Sequence, residues 1–171
     1  GAAIQKGLSD QKAEEVYTCL GNAYKELGEL DKSIDAHKKA IEIAPEFHKA
    51  WVNLGIVYRL TDQFDKAEEC YMKALELQPD YAELHVSIGA LYILQEKYDQ
   101  AVQHLEKATE LDKQLPVAWS NLALAYATVG RFSEAEAALK KAVVLGYRNG
   151  PVIQERIDNL KTLAGNVGNN A

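Results

Sequence analysis

Apolar and polar positions along this chain repeat on two scales. The short scale is helical: Trp51, Leu54, Gly55 and Tyr58 fall at i, i+3, i+4 and i+7, one face of an α-helix. The same set returns as Tyr17, Leu20, Gly21 and Tyr24, as His85, Ile88, Gly89 and Tyr92, and as Trp119, Leu122, Ala123 and Tyr126. The long scale is the distance between sets, because Tyr24, Tyr58, Tyr92 and Tyr126 stand 34 residues apart. A fixed period of that size marks an array in which one supersecondary unit stacks on copies of itself.

Small residues mark the second half of each unit. Ser33, Ala67, Ala101 and Ala135 recur at the same period, as do Ala40, Ala74, Ala108 and Ala142. Each unit therefore reads as two helices. Gly28 and Gly130 fall between the halves, where a residue that tolerates left-handed φ ends the first helix. Pro45 and Pro79 close second helices, since proline cannot continue one. Lys113 and Tyr147 replace that proline in the last two units, where Pro116 and Gly146 supply the break instead. The glycines of the packing face predict close approach of paired helices, with the large aromatic nearby filling the flanking space.

The Trp-x-x-Leu-Gly-x-x-Tyr…Ala…Ala…Pro pattern is most complete in Trp51, Leu54, Gly55, Tyr58, Ala67, Tyr71, Ala74 and Pro79. In this the chain resembles the tetratricopeptide repeat family. Departures are His37 and His85 at usually aromatic positions, Ala123 for glycine, and the two lost prolines; none breaks the period. The resemblance implies an all-α fold, a right-handed superhelical solenoid of antiparallel helix pairs. Four repeats occupy 14–47, 48–81, 82–115 and 116–149. Residues 150–164 read as a capping helix, with Ile153, Ile157 and Leu160 spaced to cover the last repeat and charged residues facing water. Residues 165–171 lack packing residues and read as a disordered tail. Residues 1–13 read as a tag remnant and tail, in which Ile4 to Leu8 resembles the last turn of a preceding repeat.

Composition narrows the functional classes. The net charge of −6, with acidic and basic residues interleaved, argues against a nucleic-acid surface and against an anionic membrane surface. No stretch approaches the length of a transmembrane helix. Cys19 and Cys70 sit at repeat positions that point in different directions, so a disulfide is not expected, which fits a reducing compartment such as the cytoplasm. No two of His37, His48, His85 and His104 share the i, i+4 spacing of a helical metal site, and His104 reads as an outer-face residue. No nucleophile stands with a base and no glycine-rich phosphate loop is present. A non-enzyme without metal or cofactor is the expectation.

The resemblance implies that first helices line a concave groove. Its residues are then Asn22, Lys49, Val52, Asn53, Ile56, Leu60, Val86, Ser87, Ala90, Leu94, Val117, Asn121 and Leu124. The subclass that clamps acidic chaperone-tail peptides is a poor match, because Thr18, Glu83 and Ser87 stand where its basic residues belong. A second subclass, resembling the repeats of O-linked N-acetylglucosamine transferase, carries an asparagine ladder onto which Asn53 and Asn121 fall. A carboxamide both donates and accepts, so it can pair with a peptide unit of any sequence; simple solvation of these two residues, or bonds to neighbouring helices, is the alternative. The apolar groove residues predict a strip open to an amphipathic helix or extended apolar peptide, unless neighbouring first helices, or the chain's own residues 1–12, cover it. A protein–protein interaction scaffold is the leading reading. A homo-oligomer assembled through the groove, or the recognition module of a larger enzyme, stand behind it.

Overall fold

A computed structural model describes residues 12–169, of which 167–169 are described by their backbone alone. The reading of 1–11 as remnant and broken repeat lies outside the described residues, as do 170 and 171. Nine helices and no strand occur among the described residues. They are α1 (Ala13–Glu26), α2 (Leu30–Ile43), α3 (His48–Leu60), α4 (Phe64–Leu77), α5 (Ala82–Leu94), α6 (Tyr98–Leu111), α7 (Pro116–Thr128), α8 (Phe132–Val144) and α9 (Gly150–Asn169). The chain divides into two compact units, one ending at Pro79 and the other beginning at Asp80. In the first, α1 pairs with α2 and α3 with α4; in the second, α5 pairs with α6, α7 with α8, and α9 packs on both α7 and α8.

One backbone device closes the first helix of every repeat. Gly28, Asp62, Glu96 and Gly130, each one period apart, all adopt positive φ, of 75°, 58°, 58° and 79°. The amide after each returns to the repeat tyrosine: Glu29 N–H donates to Tyr24 O at 2.9 Å, Gln63 to Tyr58 at 2.9 Å, Lys97 to Tyr92 at 2.8 Å and Arg131 to Tyr126 at 2.8 Å. Together with the shorter-range bond from the left-handed residue itself, such as Gly28 N–H to Lys25 O at 3.0 Å, this is a Schellman closure that satisfies two terminal carbonyls. Gly146 closes α8 the same way at φ 97°, with Tyr147 N–H donating to Ala142 O at 2.9 Å.

The expected close approach of paired helices is present. A Cβ on Gly21 would stand 2.6 Å from the His37 ring, and one on Gly89 would stand 2.5 Å from Leu105 Cγ. Both partners lie on the second helix of the same repeat. Ser33 adds a buried bond across the first pair, its hydroxyl donating to Gly21 O at 2.7 Å. Each repeat tryptophan fixes the loop before it: Trp51 Nε1–H donates to Pro45 O at 2.7 Å, and Trp119 Nε1–H to Lys113 O at 2.9 Å.

In the second unit Ala123, Ala127, Ala135, Ala138 and Leu139 form a core with Ile153 and Ile157 of α9, flanked by Trp119, Tyr126, Phe132, Tyr147 and Leu160. The three cap residues named from the sequence thus all face the last repeat. α9 continues past Leu163 to Asn169, so 165–169 are helical where a disordered tail was expected. No proline follows Pro151, so i→i−4 bonding can run on through the glycines at a cost of about 1 kcal/mol each.

Candidate functional site

The first helices set the geometry of the expected binding face, taken here unit by unit. In the first unit, Lys49 and Leu60 are exposed, Leu60 by 49%, while Asn22, Asn53 and Ile56 are half-buried. In the second, Leu94 and Val117 are 51% and 42% exposed, with Ser87, Ala90 and Asn121 half-buried. Neither Asn53 nor Asn121 makes a side-chain hydrogen bond among the described residues. Their carboxamides keep donors and acceptors for a ligand or for water.

Three members of the expected strip are instead core. Val52, Val86 and Leu124 are 4%, 8% and 9% exposed. The cause is a second neighbour. Each first helix packs on the second helix of its own repeat and also on the first helix of the adjacent one, α1 with α3 and α5 with α7. Val86 shows the contact directly, packed with Ala118 of α7 and with Ala108 and Leu115. The open face is therefore narrower than the sequence suggests, and its apolar part consists of Ile56 and Leu60 in one unit and Ala90, Leu94 and Val117 in the other. Thr18, at a clamp position, is buried too, its hydroxyl donating to Glu14 O at 2.7 Å.

The histidines behave as packing groups. His37 is fully buried against Gly21, and neither ring nitrogen has a hydrogen-bond partner. Burial, helped by the nearby Lys25 cation, lowers its pKa to about 4. His85 and His104, on α5 and α6, meet with their Nδ1 atoms 3.0 Å apart. Spacing along one helix gives no sign of this pair, because it forms between helices from residues 19 apart, and His104 is half-buried rather than on an outer face. Ring centroids 5.2 Å apart, with planes 31° apart, set the nitrogens nearly in line, so one tautomer donates to the other. The accepting Nδ1 lone pair is then taken by the other ring's N–H rather than offered to a shared third atom. Among the described residues no three His, Cys, Asp or Glu side chains gather to hold a metal ion. Cys19 and Cys70 are both free, and burial beside Glu69 pushes the Cys70 thiol up to about 12.

Two clefts in the first unit lie outside the expected groove. One of about 430 Å³ lies over α3, floored by Trp51, Leu54 and Tyr58 and walled by α2 and α4. The other, of about 340 Å³, lies over the equivalent Tyr17, Leu20 and Tyr24 of α1. The repeat register could have found both, since they rest on the same three positions.

Comparison with known proteins places this architecture. Residues 2–162 match the family described as the cilia and flagella-associated protein 70 C-terminal domain. The chain belongs to that family. Its fold is the tetratricopeptide repeat, as the period implies. Among solved structures, pilF of Pseudomonas aeruginosa aligns at 25% identity and TM-score 0.79, over 90% of this chain and 70% of that one. TTC0263, a thermophilic repeat protein of Thermus thermophilus, aligns at 21% and 0.75, over 90% and 84%. The first repeat domain of Spaghetti (RPAP3), bound to the HSP90 peptide SRMEEVD, aligns at 23% and 0.66, over 71% and 96%. No curated protein matches the chain. Within this family member, no helix among the described residues is long and apolar enough to cross a membrane.

Proposed function

We propose that the protein is a non-catalytic scaffold that holds an extended or amphipathic apolar segment of a protein partner against its first helices. The observation that carries this reading is the apolar surface left on those helices after stacking: Leu60 beside Ile56 in one unit, Leu94 and Val117 in the other. Next to these anchors stand Asn53 and Asn121, which can hold the backbone of a ligand whatever its sequence. A structural neighbour that holds an HSP90 peptide supports peptide binding as a use of this fold, but its acidic ligand does not transfer. Glu83 would repel a carboxylate tail, and no basic residue replaces it at Thr18 or Ser87.

Ile56→Glu or Leu94→Glu should abolish capture of the natural partner, with helicity and melting temperature unchanged. Loss of fold in either variant would show that these residues are core and would end the proposal. The family description directs the search for that partner to ciliary and flagellar assemblies. Self-assembly through the same anchors is the competing reading, and light scattering separates the two. A mass that rises with concentration and falls in Leu94→Glu would favour it.

A further inference from the structure

Lys25 and Arg59 stand one period apart, at the same place in the last turn of α1 and of α3. A cation there suits the negative end of a helix. Lys25 also has a counter-ion in the next residue, Glu26, whose carboxylate lies 3.3 Å from its Nζ. In α3 the place of Glu26 is taken by Leu60, which is 49% exposed. Arg59 is half-buried, and among the described residues its side chain makes no ion pair and no hydrogen bond. Its Nε is buried with no partner, while its two terminal nitrogens are not sealed off. Helical spacing accounts for this division. Arg59 follows Val52 by seven residues, on the stripe that stacking buries, and follows Ile56 by three, one turn along from the open face. The stem is held in the packing and the charged end comes out beside Ile56 and Leu60.

We propose that Arg59 selects the segment bound in the first unit, pairing with an aspartate or glutamate side chain that lies within a helical turn of the apolar residue covering Leu60. Arg59 has this role only if the open face of the first helices binds protein, the reading given above. The place of the missing counter-ion carries the inference. Where the first repeat puts a carboxylate beside its cation, the second puts an exposed leucine, so the charge has to come from whatever covers that leucine. A segment that seats on Leu60 also shuts water away from Arg59. Without a carboxylate, the complex would then hold an unpaired cation with an unsatisfied Nε. With one, the planar guanidinium can give parallel N–H donors to both oxygens. A segment with a carboxamide at that place binds more weakly, and one with an ammonium is rejected. The ligand group is a single side-chain carboxylate next to an apolar residue. It differs from the paired carboxylates of an acidic chain end, for which Thr18 offers no cation.

The probe is a library of random peptides displayed on phage and panned on the full chain. Peptides kept by the wild type should be enriched in aspartate or glutamate close to leucine, isoleucine or phenylalanine. Panned on Arg59→Gln, the library should keep the apolar preference and lose the acidic one; on Arg59→Glu it should yield lysine or arginine in that place. A selected peptide whose carboxylate is changed to a carboxamide should bind the wild type about tenfold more weakly, and Arg59→Gln no more weakly than the parent peptide does. Arg59→Met should melt at or above the wild-type temperature, because no partner inside the fold is lost. An apolar preference with no acidic one, or an acidic one unchanged on Arg59→Gln, would overturn the role of Arg59 and leave the binding face standing. No peptide retained would end both. A lower melting temperature in Arg59→Met would reveal a partner within the fold and overturn the role as well. Two further outcomes would reassign the occupant and so overturn it as stated. Acidic enrichment that appears only after removal of residues 1–11, which include Leu8 and Asp10, would make that segment the occupant. A mass that doubles with concentration in the wild type and stays monomeric in Arg59→Glu would make it a second copy.

Discussion

A Cβ placed on Gly55 would stand 2.5 Å from Cε1 of Tyr71, whose ring is completely buried on the facing helix. That gap is well inside van der Waals contact, and the next obstacle, Ala67 O at 3.2 Å, is backbone. Gly55→Ala should therefore force α3 and α4 apart and cost about 1–3 kcal/mol. Urea denaturation followed by circular dichroism checks this. A variant as stable as the parent would mean that Tyr71 can turn aside freely.

His37 makes the first unit sensitive to acid. Its pKa falls from 6.5 to about 4 on folding, so between those values the unfolded chain binds the extra proton. Its contribution to stability is complete above pH 6.5 and declines as the pH falls toward 4, by about 3 kcal/mol in all. The depressed pKa values of His48 and His104 act in the same direction. His37→Leu, which copies Leu105 at the equivalent position, should raise stability at pH 5 and flatten the profile between pH 4 and 6.5. Melting temperatures measured across that range, unchanged in slope by the substitution, would remove His37 as the cause.

Glu96 holds a left-handed φ of 58° in a position that glycine fills in the first and fourth repeats. A side chain in that region costs about 1–2 kcal/mol. Glycine returns part of this to the unfolded state, so Glu96→Gly should stabilise by a few tenths to about 1 kcal/mol. The reverse change, Gly28→Ala, should destabilise by about 1 kcal/mol even though nothing lies within 4 Å of the added carbon. Paired melts of the two variants check the sign of each.

Ile157 is fully buried and joins α9 to the core of the last repeat. Ile157→Ala should cost about 2–5 kcal/mol, and Ile157→Asp should release α9 altogether. Hydrogen exchange should then rise across α9 and along the faces of α7 and α8 that it covers. Protection unchanged in Ile157→Asp would show that the last repeat needs no cap.

The register of Tyr24, Tyr58, Tyr92 and Tyr126 makes the helix pairs legible before any coordinate, because a repeat states its own packing four times. Gly28 and Gly130 announce their left-handed turns. Asp62 and Glu96 do not, since their side chains carry no such signal and only the period places them there. The candidate site is less readable. Val52, Val86 and Leu124 lie away from the Leu-Gly-Tyr stripe, and a helical wheel for one helix counts one neighbour, whereas stacking supplies a second. His85 and His104 escape for a related reason. Their meeting follows from how α5 lies on α6, which spacing within a single helix does not encode.

The two indoles hold their loops by hydrogen bonds to Pro45 and Lys113, and one belongs to each compact unit. They are the only tryptophans in the chain, so each unit carries one indole, excitable apart from the tyrosines and tethered at a junction between repeats. Trp51→Phe and Trp119→Phe would leave one indole apiece. Their separate unfolding curves would then measure whether the halves of the array melt as one body or in succession.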